Sequence, residues 1–273
     1  MASSQQSEML QGHFRKCVSG SHILHFHQVV DAYGHLSFRH PSRADTFFMS
    51  RNIAPAQVSY SEDLIEYNIE DAEPLDPNCP QGFAERRIHS EIYRRHPEIN
   101  AVIHSHSEAV VPYTISGVPL KAVSHMCGFL GPDGLPVFDA ADHMEEGDVP
   151  DLLVRTKNMG AALAKHFDGG NNVTLMRGHG FTVVADSIEL AVMRAVYTQK
   201  NASIQTTALM LQGATGTTGG IKHLSKEECG GSDRTTRWSM LRPWNLWVRE
   251  VEDSSLYINA CDEPRRLYIY EEK

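Results

Sequence analysis

Two histidines one residue apart, His104 and His106, close the apolar run Ala101-Val102-Ile103-His104-Ser105-His106-Ser107. In an extended chain, residues i and i+2 project to one face, so this pair can offer two imidazoles to one ion. Neutral imidazole suits zinc, copper, iron or nickel, and a working centre needs a further ligand and an open position. His179 is the candidate for that further ligand. It lies in Val173-Thr174-Leu175-Met176-Arg177-Gly178-His179-Gly180-Phe181-Thr182-Val183-Val184, where a polar turn interrupts two β-branched runs, the pattern of strand, tight turn, strand. The flanking glycines remove side chains that would crowd a group approaching the imidazole. In a chain of 15 histidines some His-x-His pairs arise by chance. A further element upstream, Glu85-Arg86-Arg87-Ile88-His89, raises the reading from pair to site.

These residues need a scaffold, and 273 residues suffice for one large α/β domain or two small ones. No Pro/Ser-rich linker divides the chain, so one domain over 1–273 is expected, with an aromatic-rich segment at about 221–273. A net charge of −9 argues against nucleic acid, which is bound by clustered Lys and Arg. No apolar run is long enough to span a bilayer and no secretory leader opens the chain, so a cytoplasmic protein without a membrane partner is expected. Five scattered cysteines without a CxxC pair read as reduced thiols.

Along the chain, apolar residues at helical intervals from Ser7 to His27 predict one or two helices, with Gly20 as the weak point. His35–Arg39, Thr46–Ser50 and Asp63–Asn68 read as strands, the first two as a hairpin. A loop rich in proline then delivers a helix of about Phe83 to Arg95, closed by His96-Pro97. The His-x-His strand follows. Val123–Met126 and Leu135–Phe138 are expected as edge strands, Asp151–Phe167 as an amphipathic helix, and about Ser187 to Leu211 as the longest helix. Gly213–Gly220 reads as a loop. Trp238, Trp244 and Trp247 then crowd into ten residues, followed by Tyr257, Tyr268 and Tyr270. They fit either an internal packing helix or a segment docking on another subunit, since aromatics concentrate in interface cores.

Glu85 with His89, then His104-Ser105-His106, then Gly178-His179-Gly180, together with Ile92 to Ser107, resemble the class II aldolase/adducin family over roughly Leu24 to Leu211. The resemblance implies a three-layer α/β fold with a central, mainly antiparallel sheet flanked by helices, and a homotetramer with active sites at subunit boundaries. It implies one divalent metal ion per subunit on His104, His106 and His179, zinc first, with Mn, Fe, Co, Ni or Mg as alternatives. Glu85 would complete the ion's shell or move a proton. A nearby dication favours its ionised form and burial the neutral one, so its proton affinity can suit acid–base work.

Departures from the sugar-phosphate aldolases of the family are as informative. Where those carry phosphate-holding turns, this chain reads Gly34-His35-Leu36-Ser37, Met49-Ser50-Arg51-Asn52 and Phe83-Ala84-Glu85. His35, Arg51 and Arg86 could instead face a carboxylate or phenolic oxygen. The stretch Ser124-His125-Met126-Cys127-Gly128-Phe129-Leu130-Gly131 resembles the family's decarboxylase-like members, which act on hydroxylated aromatic acids; in it, His125 is a second catalytic candidate. Tyr257, Tyr268 and Tyr270 are candidates for a tyrosine shared across subunits.

Breaking a carbon–carbon bond leaves an electron pair to be stabilised, and a metal on the adjacent oxygen does this as a Lewis acid. The expected function is therefore a metal-dependent lyase, first a non-oxidative decarboxylase of a hydroxyaryl or β-oxo acid. The alternatives are retro-aldol cleavage of an unphosphorylated hydroxy-ketone or hydroxy-acid, a dehydratase or epimerase on the same fold, and a non-catalytic adducin-like interaction module.

Overall fold

Short β-branched and aromatic runs separated by proline and glycine favour strands. The computed structural model describes residues 2–216 and 218–263. In order, the elements are α1 (Ala2–Phe26), β1 (His35–Arg39), β2 (Thr46–Ser50), β3 (Leu64–Asn68), α2 (Arg86–Arg95), β4 (Ala101–Ser105), α3 (Val111–Ile115) and β5 (Val137–Phe138). There follow α4 (Lys157–Ala164), β6 (Val173–Met176), β7 (Gly180–Ala185), α5 (Ile188–Thr215), α6 (Lys226–Trp238) and α7 (Leu241–Glu252). The strands form one sheet in the order β3-β2-β1-β4-β7-β6-β5, antiparallel at every pairing except β5–β6. This is the mainly antiparallel α/β sheet expected.

Alternation along the strands sends apolar side chains to two cores. Leu36, Phe38, Ala101, Ile103, Phe181 and Val183 pack with residues of α1, α5 and α7. Phe47, Met49, Val102, Met176 and Val184 pack with residues of α2 and α4. Burying an Ile or Phe contributes about 1.5–3 kcal/mol, so each face is held firmly. The second face also carries a polar row, His35, His104, Thr182 and Thr174, which are neighbours in register across β1, β4, β7 and β6 and are all buried. A sheet tolerates such a row only where partners or a ligand satisfy it.

Several expected elements take another form. Gly20 does not break α1, because it is a point of close packing: a Cβ there would lie 2.9 Å from Leu36 and 3.3 Å from Val192. The helix expected from Phe83 begins at Arg86, with Glu85 in the capping position. Val123–Met126 is not an edge strand. The α5 side chains Gln205 and Asn201 accept the Lys121 and Val123 N–H groups at 3.0 Å each, and His125–Leu130 is a 3-10 turn packed on α6. The helix expected over Asp151–Phe167 starts only at Lys157, where Thr156 caps it by accepting from the Met159 N–H. Asp151–Arg155 is irregular, with Leu152 at φ 65°. Helix α5 runs one turn further than expected, into the predicted loop, and ends at Gly216, φ 64°.

Trp244 and Trp247 are buried in the core of their own chain, while Trp238 is 83% exposed. Tyr268 and Tyr270 lie outside the described residues. No helix among the described residues is long and apolar enough to cross a membrane.

Candidate active site

Strand β4 carries His104 to its end and His106 just beyond, and the i, i+2 spacing turns both toward the same side. His179 reaches them because β7 pairs beside β4 and because a glycine stands on either side of it. Gly178 adopts φ 62° in the turn closed by the His179 N–H on the Met176 carbonyl, 3.1 Å. At Gly180, φ 154°, a Cβ would sit 1.9 Å from the Ser105 carbonyl oxygen. Only glycine lets the two strand ends come this close.

The result is a convergence of four groups. His104 Nε2 and His106 Nε2 lie 3.3 and 3.1 Å from His179 Nε2. Glu85 Oε2 is 3.7 Å from His104 Nε2 and 3.6 Å from His179 Nε2. The ligand atoms of Glu85, His104, His106 and His179 all lie within 4.8 Å of one another. Tetrahedral zinc, with Zn–N of about 2.05 Å, places ligand nitrogens about 3.3 Å apart, so the spacing fits such an ion. His179 Nε2 has room for at most one proton yet faces two other imidazole nitrogens, and a shared cation resolves that conflict.

Electrostatics point the same way. Burial, reinforced by the neighbouring histidines, holds His104 well below the usual imidazole range. Burial also lowers His106, and with His106 lowers His179 to about 4. The rings are therefore neutral and ready to ligate, and their approaches to Glu85 are not ion pairs. Burial pushes Glu85 up to about 7, against the opposing pull of the Val154 N–H and Arg155. The outer partners are Thr182 Oγ1, 3.4 Å from His104 Nδ1, and Asp31 Oδ1, 3.7 Å from His106 Nδ1. The Leu152 carbonyl faces His179 Nδ1, but the approach falls short of a formed hydrogen bond.

The structure thus gathers Glu85, His104, His106 and His179, with His35 alongside at 5.1 Å between ring centroids from His104. The other expected site residues sit elsewhere. Arg51 is committed to Asp63 at 2.8 Å. Arg86 donates to the Ala72 carbonyl at 2.7 Å and to Glu73 at 3.3 Å. His125 is exposed on its 3-10 turn, and none of the polar or ring contacts at the cluster involves it. Sequence reading missed Asp31, and also a cavity of about 750 Å³ beside His106, lined by His25, Gln28, Asp31, Gln199 and Tyr257 among others. Tyr257 closes this cavity from its own chain, 2.9 Å from His25 Nδ1. The one available signal was Asp31-Ala32-Tyr33-Gly34, whose aspartate forms a turn on the Tyr33 N–H at 2.7 Å.

Residues 16–206 match the family described as the class II aldolase and adducin N-terminal domain. The chain belongs to this family. Among class II aldolase and adducin relatives, it is 50% identical over 258 residues to Decarboxylase tropJ of Talaromyces stipitatus, a match covering 90% of this chain and 97% of that protein. It is 31% identical over 162 residues to a 3,4-dihydroxyphthalate decarboxylase of Arthrobacter keyseri, covering 55% of this chain and 58% of that one. An L-fuculose 1-phosphate aldolase from Glaciozyma antarctica superposes with a TM-score of 0.70 at 18% identity, covering 93% and 94% of the two chains, and this likeness shows the fold. As a member of this family that is 50% identical to a protein named a decarboxylase, the chain is an enzyme, a lyase.

Proposed function

We propose that this lyase is a divalent-metal-dependent, non-oxidative decarboxylase of a hydroxyaryl or β-oxo acid. The observation that carries the reading is the convergence of three neutral imidazole nitrogens with one buried carboxylate. Relatedness to Decarboxylase tropJ over nearly its whole length favours decarboxylation over aldol cleavage.

His104, His106 and His179 would hold the ion, zinc first, with Mn, Fe, Co, Ni or Mg as alternatives. A divalent ion there supplies Lewis-acid stabilisation of negative charge on the substrate oxygen next to the breaking bond. The chain's own residues do the rest. As the bond to the carboxylate breaks, carbon dioxide leaves and its electron pair remains on the adjacent carbon, delocalised toward that oxygen. Glu85, whose free carboxylate oxygen faces His104 and His179, would deliver the proton to the carbon. His35, whose ring centroid lies 5.1 Å from that of His104, would donate to a carboxylate or phenolate oxygen. Arg51 and Arg86 are held by Asp63 and the Ala72 carbonyl, and His125 is exposed on its 3-10 turn, so none of the three takes part in this reading.

Retro-aldol cleavage of an unphosphorylated hydroxy-ketone or hydroxy-acid uses the same electron sink and differs in product. A non-catalytic interaction module leaves the four converging groups without a role. The setting we propose is a cytoplasmic homotetramer acting on a small carboxylic acid. The test is zinc-loaded protein incubated with dihydroxybenzoic acids and a β-oxo acid. Carbon dioxide release that is lost in His104→Ala supports the reading. An aldehyde product, or full activity in chelator-treated protein, overturns it.

A further inference from the structure

A buried hydrogen-bonded chain runs from α2 through the sheet to the edge of the cluster. Tyr93 Oη lies 2.8 Å from Ser37 Oγ, Ser37 Oγ lies 2.5 Å from His89 Nδ1, and His89 Nε2 lies 2.7 Å from His35 Nδ1. All four side chains are essentially inaccessible, His35 the least so at 3%. The chain ends at the site, since His35 is paired with His104 in register and its ring contacts the His104 ring.

Counting protons fixes the direction of this chain. The Tyr93 hydroxyl carries one proton; the Val102 backbone N–H that also faces it is a donor, so Ser37 Oγ is the acceptor left for that proton among the described residues. Were Ser37 the donor, the phenol proton would be buried without an acceptor, at a cost of about 1–3 kcal/mol. Tyr93 therefore donates to Ser37, and Ser37 directs its own proton to His89 Nδ1. A neutral imidazole that accepts at Nδ1 carries its hydrogen on Nε2. His89 accordingly donates to His35 Nδ1, and by the same rule His35 carries its hydrogen on Nε2.

We propose that Tyr93, Ser37 and His89 are positioning residues that lock His35 in the Nε2–H form, giving the site one fixed hydrogen-bond donor for an anionic substrate oxygen. The same arrangement denies His35 a free lone pair. His35, in ring contact with His104, accordingly stands outside the group of converging ligand atoms as a donor beside it. The use of this donor on a carboxylate or phenolate rests on the function proposed above; the proton arrangement does not.

The experiment is a two-bond ¹H–¹⁵N correlation spectrum of zinc-loaded, ¹⁵N-labelled protein, with His35 and His89 assigned by difference against His35→Gln and His89→Gln. Both rings are expected to show a protonated Nε2 and a bare Nδ1. In Ser37→Ala, the single-tautomer signature of His35 is expected to give way to a mixture. The rate constant for carbon dioxide release should then fall about tenfold, the worth of one hydrogen bond, with zinc content unchanged. Tyr93→Phe should move both readouts in the same direction by less. A wild-type His35 protonated on Nδ1, a His35 nitrogen bound to zinc, or a signature unaltered in a folded Ser37→Ala overturns the proposal. The wild-type spectrum decides even if Ser37→Ala fails to fold. A spectrum as expected in a protein that decarboxylates none of the acids sinks the functional reading and leaves the tautomer assignment standing.

Discussion

Val154 donates its backbone N–H to Glu85 Oε1 at 2.9 Å, while the other oxygen of the same carboxylate faces His104 and His179. One oxygen is anchored and the other is left for chemistry. Glu85→Gln keeps the anchored acceptor and removes the transferable proton. Carbon dioxide release should fall at least about 10²-fold, the usual worth of a general acid. Folding should not suffer: above pH 7 the metal-free wild type must bury an ionised carboxylate, and the amide removes that burden, adding about 2–3 kcal/mol at pH 8. Chemical denaturation and product assays of the same preparation read both effects. Activity within twofold of wild type would remove Glu85 from the mechanism.

Stability of the metal-free protein should depend on pH with a definite sign. Burial lowers His22 and His27 to about 4 and His89 to about 3, with the Val58 carbonyl opposing the shift at His22. A folded pKa below the unfolded value means that the unfolded chain binds more protons in the window between them. Stability therefore rises with pH from about 4 to 6.5 and is lost as acid is added. Glu85, raised to about 7 by burial, acts in the opposite sense between 4.5 and 7 and offsets only part of this. His22 is not one of the four converging groups; its Nε2 lies 2.7 Å from the Val58 carbonyl. His22→Gln should flatten the slope by about 1.4 kcal/mol per pH unit near pH 5, one proton's worth. Urea midpoints at half-unit steps measure it, and an unchanged slope contradicts the assignment.

The sequence made legible what local spacing encodes. His104 and His106 share a face because strands repeat every two residues, and Gly178 and Gly180 announced a turn at His179. Glu85 is marked by the resemblance to the family, in which an acidic residue stands four positions before a histidine, and only the fold brings it to the three histidines. What spacing hides is the contribution of the backbone. Val154 N–H anchors Glu85, yet Leu152, Leu153 and Val154 look like one more turn of the helix that follows, and only the Thr156 cap marks the true start. Arg51 and Arg86 read as free cations because nothing in a one-dimensional string reveals that Asp63 and the Ala72 carbonyl hold them. Gly20 read as a helix breaker because its reason for being glycine, contact with Leu36 and Val192, is tertiary.

The tryptophans of the C-terminal helices divide sharply. Trp247 is buried against His27 and Tyr197, with ring centroids 4.9 and 6.1 Å away, while Trp238 stands in solvent. Trp247→Ala should destabilise the protein by about 3–5 kcal/mol, the cost of emptying a large core site. Trp238→Ala should change folding stability by no more than about 0.5 kcal/mol. If Trp238 docks on a neighbouring subunit, sedimentation of its variant will show smaller species at a concentration where the wild type is assembled. Equal losses of stability in the two variants would contradict the burial difference.

Gly180 sets how closely β7 can approach the end of β4, and so whether His179 reaches His106. A methyl group there collides with the Ser105 carbonyl oxygen and lies 3.0 Å from His106 Cα, at a backbone φ that L residues seldom adopt. Gly180→Ala should cost more than about 3 kcal/mol, since overpacking and backbone strain act together. It should also weaken zinc binding by pushing the ligand-bearing strands apart. Gly178 is the control, because among the described residues a Cβ there would meet only Leu152 Cδ1, at an ordinary 3.5 Å, and its strain is the φ of 62° alone. Gly178→Ala should cost about 1–2 kcal/mol and leave a measurable zinc site. Thermal unfolding with and without zinc separates the two effects. A Gly180→Ala protein that binds zinc as tightly as wild type would mean that the strand approach does not control the geometry of the three imidazoles.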